Sequence, residues 1–183
     1  MNAIVENIKN RRSIRRYLPE QIRDEELNTI IEAGIYAPTA HNEQPWHFTV
    51  IQNKELLDHI SITTKGFMTN CGVDWIEKMG TNEKLHLFYN APTVIIVSGK
   101  KEAYSSLTDC SAAIENMMLA AESLNIGSCW IGLVSFFFEQ EEEMKKLNIP
   151  EGYTPYYAVT FGYKQVRPTR IPERNREVVT YIK

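Results

Sequence analysis

Apolar positions along the chain change their period several times, and each change marks an element. Ile4, Val5 and Ile8 recur at helical spacing and predict a short first helix, which runs out at the cluster Arg11-Arg12-Ser13-Ile14-Arg15-Arg16. After Pro19, Asp24 is placed to cap a second helix with the stripe Leu27, Ile30, Ile31, Gly34 and Ile35, the i, i+3, i+4, i+7, i+8 set of one face. Pro38 stops it, and the polar run Thr39-Ala40-His41-Asn42-Glu43-Gln44 leads to Pro45-Trp46. Residues 47–52 predict a strand and residues 54–64 a helix. Residues 65–90 are mixed in pattern, with Gly66, Gly72 and Gly80, and predict helical turns broken by a mobile loop. Residues 92–97 form the strongest strand, apolar on both faces and therefore central in a sheet. A long helix rich in Ala and Met starts at Thr108 or Asp109 and runs to Leu124, followed by a strand-like piece at 128–133, a helix at 139–147 and a strand at 156–163. A basic tail, residues 164–183, closes the chain.

Helices and strands alternating in this way indicate a layered domain of α+β or α/β class. At 183 residues, 43% of them hydrophobic and with no repeat or Pro/Gly/Ser-rich linker, the sequence reads as one domain over 1–183. A net charge of −3 excludes a pervasive polyanion-binding surface, hence nucleic acid, but leaves room for a local cationic pocket. No run of 18 apolar residues exists to span a membrane. The N-terminus has no apolar core of a secretory signal. The cysteines (Cys71, Cys110, Cys129) are odd in number and lack CxxC spacing, which fits a reducing cytoplasm and argues against a disulfide or zinc framework. The four histidines, His41, His47, His59 and His86, make no metal-ligand spacing, so no metal is expected. No G-x-G-x-x-G follows a strand, and no nucleophile elbow is present.

The arginines are distributed unevenly. Apart from Arg23 they fall in two windows, Arg11, Arg12, Arg15 and Arg16 near the start and Arg167, Arg170, Arg174 and Arg176 near the end. The guanidinium fork stays charged and grips phosphate through two parallel donors, so the two windows could converge on one phosphate; the alternative is solvated surface charge. A second feature is the segment from Ala37 to Phe48, where two prolines bracket short polar side chains. It reads either as a rigid shelf for a ligand or as a connecting loop anchored by Trp46 and Phe48. The acids Glu139, Glu141, Glu142 and Glu143 read as a solvated helix start. Met117, Met118 and the alanines around them read as a helix-packing surface and a candidate dimer seam.

RRSIRRY near the N-terminus and APTAHNEQPWHF some twenty residues on resemble the nitroreductase-like FMN-dependent oxidoreductase family. The strand NAPTVIIV from Asn90, the helix segment DCSAAIENMMLAAESLNIGSCWIG from Asp109 and the terminal FGY…P…R segment agree with it in order, over essentially the whole chain. The resemblance implies an α+β nitroreductase-like layered fold, with a mainly antiparallel central sheet flanked by helices, in an intertwined homodimer whose tail embraces the partner subunit. It implies FMN at the subunit interface and NADH or NADPH as co-substrate. Arg11, Arg12, Ser13 and Arg15 match the segment that holds phosphate and flavin edge. Pro38, Thr39, Ala40 and Asn42 match a loop that reaches the partner's flavin; Thr39 keeps the hydroxyl of the family's usual Ser, whereas Ala40 has none. Ile131, Gly132 and Leu133 match the turn whose backbone faces the ring near N5, and Arg174 and Arg176 fit the cation pair near the C-terminus.

These roles suit the chemistry. A phosphate dianion needs cations and N–H donors to offset its desolvation. A cation beside N1 and C2=O, the position expected of Arg15, stabilises reduced flavin. No protein nucleophile or catalytic side chain is required. The activity implied is ping-pong reduction of flat electron-poor acceptors, such as nitroaromatics and quinones, by NAD(P)H. The alternatives are FMN-dependent dehydrogenation of a dedicated metabolite and non-catalytic FMN storage or sensing.

Overall fold

Four strands, β1 (Trp46–Ile51), β2 (Thr93–Lys100), β3 (Ile126–Ile131) and β4 (Tyr153–Tyr163), form one antiparallel sheet in the order β1-β2-β4-β3. The helices are α1 (Ala3–Asn10), α2 (Asp24–Ile35), α3 (Lys54–Met68), α4 (Asp74–Gly80), α5 (Ser106–Ser123), α6 (Ser135–Phe138) and α7 (Glu141–Met144). The structure is a computed structural model that describes residues 2–166, 168 and 171–183.

The sheet has a core on each side. Ile95 and Val97 of β2, with Val159 and Phe161 of β4, pack against Ile30 of α2 and Ile114 and Met117 of α5. Val94, Ile96 and Ala158 turn the other way, onto Leu57 and Ile60 of α3 and Phe137 of α6. Alternate residues of β2 thus enter different cores, which is why the strand shows no polar alternation although its neighbours are antiparallel. It is an inner strand, as expected. A fully buried aliphatic side chain of this kind stabilises the fold by about 1.5–3 kcal/mol.

Several boundaries differ from the sequence expectation. The cap of α2 is Arg23, with extended backbone; its N–H donates to Glu26 Oε2 at 3.0 Å, while Asp24 is the first helical residue. Helix α3 continues through Met68, which is completely buried and holds the extra turn in the core. Helix α5 begins at Ser106, ahead of Thr108. The strand expected at 128–133 is β3, which starts at Ile126 and ends where its pairing with β4 ends, Ile131 against Ala158, so Gly132 and Leu133 lie beyond it. Strand β4 starts earlier than expected because the register shift at Val97/Ser98 of β2 accommodates Pro155. The helix expected at 139–147 is broken into α7 and a 3₁₀ turn, Lys145–Leu147, and α6 precedes it.

The N-terminal arginine segment is stitched to the sheet edge. Ser13 bridges Ser128 in parallel sense, Ile14 N–H donates to Ser128 O at 2.9 Å, and Leu18 N–H donates to Tyr163 O at 2.9 Å. Gly127 permits this approach: a Cβ there would meet Ile14 side-chain carbons at 2.8–2.9 Å. The segment after β4 returns alongside, with Gln165 N–H donating to Arg16 O at 3.1 Å.

Candidate functional site

Docking of residues 11–15 on β3 brings the two ends of the chain together. Arg11, Arg12, Ser13 and Arg15 line a cavity of about 440 Å³ whose other walls are Pro168, Pro172 and Arg174 of the tail. Among the described residues, no carboxylate lines it. The two arginine windows therefore converge through Arg174. Arg176 lies in an adjoining recess between Glu173 and Glu177, and Arg167 and Arg170 lie outside the described residues.

The cations are held differently. Arg12 Nη1 donates to Lys9 O at 2.6 Å and to Arg11 O at 2.7 Å, capping the carbonyl end of α1 and fixing the side chain. Arg11 Nε is buried without a hydrogen-bond acceptor and lies 3.4 Å from Glu115 Oε1 of α5. The Arg15 guanidinium lies over the Tyr89 ring, 5.7 Å from its centroid, a cation–π arrangement. Beyond Arg15 a second hollow of about 330 Å³ opens, lined by Arg16, Lys84, His86, Tyr89 and Gln165 among others. Cys129 sits beneath this segment with its thiol pushed up by burial, so it supplies no thiolate.

Pro38, Thr39, Ala40 and Asn42 do not line the arginine cavity. Their loop lies at the start of α5, where Ala40 N–H donates to Oδ2 of the buried Asp109 at 3.2 Å and Glu43 Oε2 accepts from Tyr104 N–H at 2.9 Å. Arg11 meets α5 at Glu115, about 9 Å further along at ~1.5 Å per residue. The loop is conformationally committed: His41, Asn42 and Gln44 all have left-handed backbone, with φ of 52°, 56° and 45°. Such residues cost about 1–2 kcal/mol each where a Cβ crowds the carbonyl. Thr39 Oγ1 accepts from Gln44 N–H at 3.4 Å, which leaves its hydroxyl proton free to donate. At the end of β3, Ile131 is buried, Gly132 is exposed with open space over its Cα, and Leu133 is half-buried.

Tyr89, His86 and Asp109 shape this region without any motif in the sequence to mark them. Tyr89 and Asn90 are both left-handed, φ 55°, in a turn of the segment whose pattern carried no period. The available signal was the Tyr-Asn pair just before Ala91-Pro92. Asp109 was seen only as a possible helix start. Among the described residues no group of three or more His, Cys, Asp or Glu could hold a metal.

Residues 8–163 match the model of the Nitroreductase family. A protein of Archaeoglobus fulgidus with the provisional name NADH dehydrogenase/NAD(P)H nitroreductase is 37% identical over 172 residues, 89% of this chain and 86% of that one. A Bacillus subtilis FMN reductase [NAD(P)H] is 28% identical over 99% of this chain and 74% of its own length. The crystal structure of a Bacteroides fragilis nitroreductase with bound FMN superposes with a TM-score of 0.91 at 34% identity, covering 100% of both chains.

Proposed function

The chain belongs to the nitroreductase family, and on that premise we propose that it is an FMN-dependent NAD(P)H oxidoreductase that reduces flat, electron-poor acceptors. The observation that carries this reading is the arginine cavity, where both chain ends bring guanidinium groups together with no carboxylate in the lining among the described residues. The cavity fits FMN on its own chemistry. Arg11 Nε, buried without a hydrogen-bond acceptor and 3.4 Å from Glu115, and Arg12, fixed on two carbonyls, give the cations a phosphate dianion requires.

Arg11, Arg12 and Arg174 hold the phosphate, and Ser13 adds a hydroxyl beside them. Arg15, held over Tyr89, would present its charge to the pyrimidine end of a bound flavin. The exposed Gly132 and the half-buried Leu133, at the end of β3, would offer backbone to the reacting edge of a bound flavin. FMN held there would supply two-electron redox chemistry between NAD(P)H and the acceptor, in ping-pong turnover. The acceptors proposed are nitroaromatics and quinones.

The proposal includes a homodimer. Within one chain the Pro38–Asn42 loop stands apart from the cavity, as it must if it serves the partner's cofactor. The α1 face carrying Ile4, Val5 and Ile8 is exposed, and so are Ile171, Val178, Val179, Tyr181 and Ile182 of the tail. A second copy that α1 packs against, and that the tail embraces, covers this apolar surface. The proposed location is the cytoplasm, a reading that the three free cysteines support.

The test is anaerobic. Protein loaded with FMN is mixed with NADH or NADPH, and the flavin absorbance near the visible maximum is followed. Bleaching, then return of colour with a nitroaromatic or quinone, is the expected result. A bound flavin that neither nucleotide reduces would leave a binding protein rather than a reductase.

A further inference from the structure

The turn that leads into β2 has an unusual lock. Tyr89 and Asn90 are consecutive left-handed residues, each at φ 55°, and neither is glycine. Two backbone bonds close the turn: Tyr89 N–H to His86 O at 2.9 Å and Ala91 N–H to Phe88 O at 3.0 Å. The remaining amides are taken by one side chain. Phe88 N–H and Asn90 N–H both donate to Nδ1 of His86, at 3.2 and 3.3 Å. An imidazole nitrogen that accepts is unprotonated, so the ring is neutral with its proton on Nε2. Nε2 is buried, makes no hydrogen bond, and lies 3.4 Å from Asp58 Oδ1.

We propose that His86 is a positioning residue for Arg15: by accepting two amides of this turn, its neutral ring holds the Tyr89 side chain in the place where the Arg15 guanidinium stacks on it. The inference rests on the reading above that Arg15 faces the flavin. The chain of contacts is continuous, from His86 to the turn, from the turn to Tyr89, and from Tyr89 to Arg15.

Protonation undoes the lock, because an Nδ1–H would confront two N–H groups. The charged groups around the ring are on α3, where Asp58 faces Nε2 and is itself paired with Lys54, with Lys65 further along; on the near side stand Lys84 and Arg15. Burial lowers the His86 pKa, and Asp58 opposes this only in part. The folded chain therefore binds a proton less readily than the unfolded one. The lock is complete above the ordinary histidine value of about 6.5 and costs stability as pH falls below it.

The experiment compares wild type, His86→Ala and His86→Asn as purified full-length chains, with FMN content measured in each sample. Asn offers Oδ1 where Nδ1 stood, as in an Asx turn, and does not titrate. Amide exchange at Phe88 and Asn90 is read first. Exchange about two- to tenfold faster in His86→Ala, restored in His86→Asn, is expected for one lost side-chain acceptor. In wild type the same amides lose protection as pH falls below the ordinary histidine value, and in His86→Asn they do not. Unchanged exchange in His86→Ala, or failure of Asn to restore it, overturns the lock. The midpoint potential of bound flavin is read second. It falls in His86→Ala and not in His86→Asn; an unshifted potential in His86→Ala, with exchange accelerated, overturns the link to Arg15. Failure to bind FMN at all in wild type overturns the functional reading instead, and the exchange result still decides the lock.

Discussion

Each arginine of the site is committed by its own neighbours, and this sets what its removal does. Arg12 is spent largely on carbonyls of α1, so its loss frays the helix end as well as the cavity. Arg15 is different: it is exposed, with no carboxylate partner among the described residues, and only the Tyr89 ring under it. Reduced flavin carries charge on its pyrimidine that oxidised flavin lacks, so a cation there acts on the difference between them. Arg15→Ala lowers the two-electron potential of the bound flavin, with a smaller effect on affinity for oxidised FMN. Arg15→Lys keeps part of the shift, because charge stays while the planar fork is lost. Potentiometric titration reads this directly. An unchanged potential with weakened FMN binding would place Arg15 with the phosphate.

At the scale of elements, the join between α2 and β4 carries a charged clasp. Glu26, nearly buried in the first turn of α2, accepts from Arg23 Nη2 at 2.8 Å, from Arg23 N–H at 3.0 Å and from Tyr163 Oη at 2.6 Å. The Arg23 hydrogen bonds hold its carboxyl down at about 2, and the Tyr163 hydroxyl supports this against desolvation. A carboxylate with a depressed folded pKa stabilises the fold above its ordinary value of about 4.3 and loses that stabilisation as pH falls toward the folded value. Glu26→Gln therefore flattens the acid limb of stability between about 4.5 and 2 and costs about 1–3 kcal/mol at neutral pH. Urea midpoints across that range measure it, and superimposable acid limbs would exclude the clasp. This is also the scale at which the sequence was most legible. The stripe of α2, the apolar run of β2 and the Ala/Met helix α5 announce themselves because each buries a regular face. Helix α6 carries no signal because Phe136, Phe137 and Phe138 have no period and their partners on α3 are distant in sequence, and the helix expected at 139–147 is broken after Met144. Asp109 and His86 gave no sign, because each acts on backbone amides, which leave no pattern in a sequence.

On the scale of the whole molecule, the site is made by topology. Residues 11–15 lie on the outer side of β3, at one edge of the sheet, and the chain comes back to that edge only after β4, so both ends must be in place before the cavity exists. The clustering of arginines at the two ends was visible in the sequence, but their meeting depends on the strand order, which periodicity does not determine. Binding of FMN to wild type, Arg11→Ala and Arg174→Ala, each set beside binding of riboflavin by calorimetry, tests this construction most directly. A lost charge-assisted hydrogen bond is worth about 1.5–3 kcal/mol, or roughly ten- to over a hundredfold in affinity. Both variants are expected to lose FMN by such a factor and riboflavin hardly at all, because only FMN carries the phosphate. Equal losses for the two ligands, or an Arg174→Ala protein that binds FMN as wild type does, would contradict a phosphate site built from both ends of the chain.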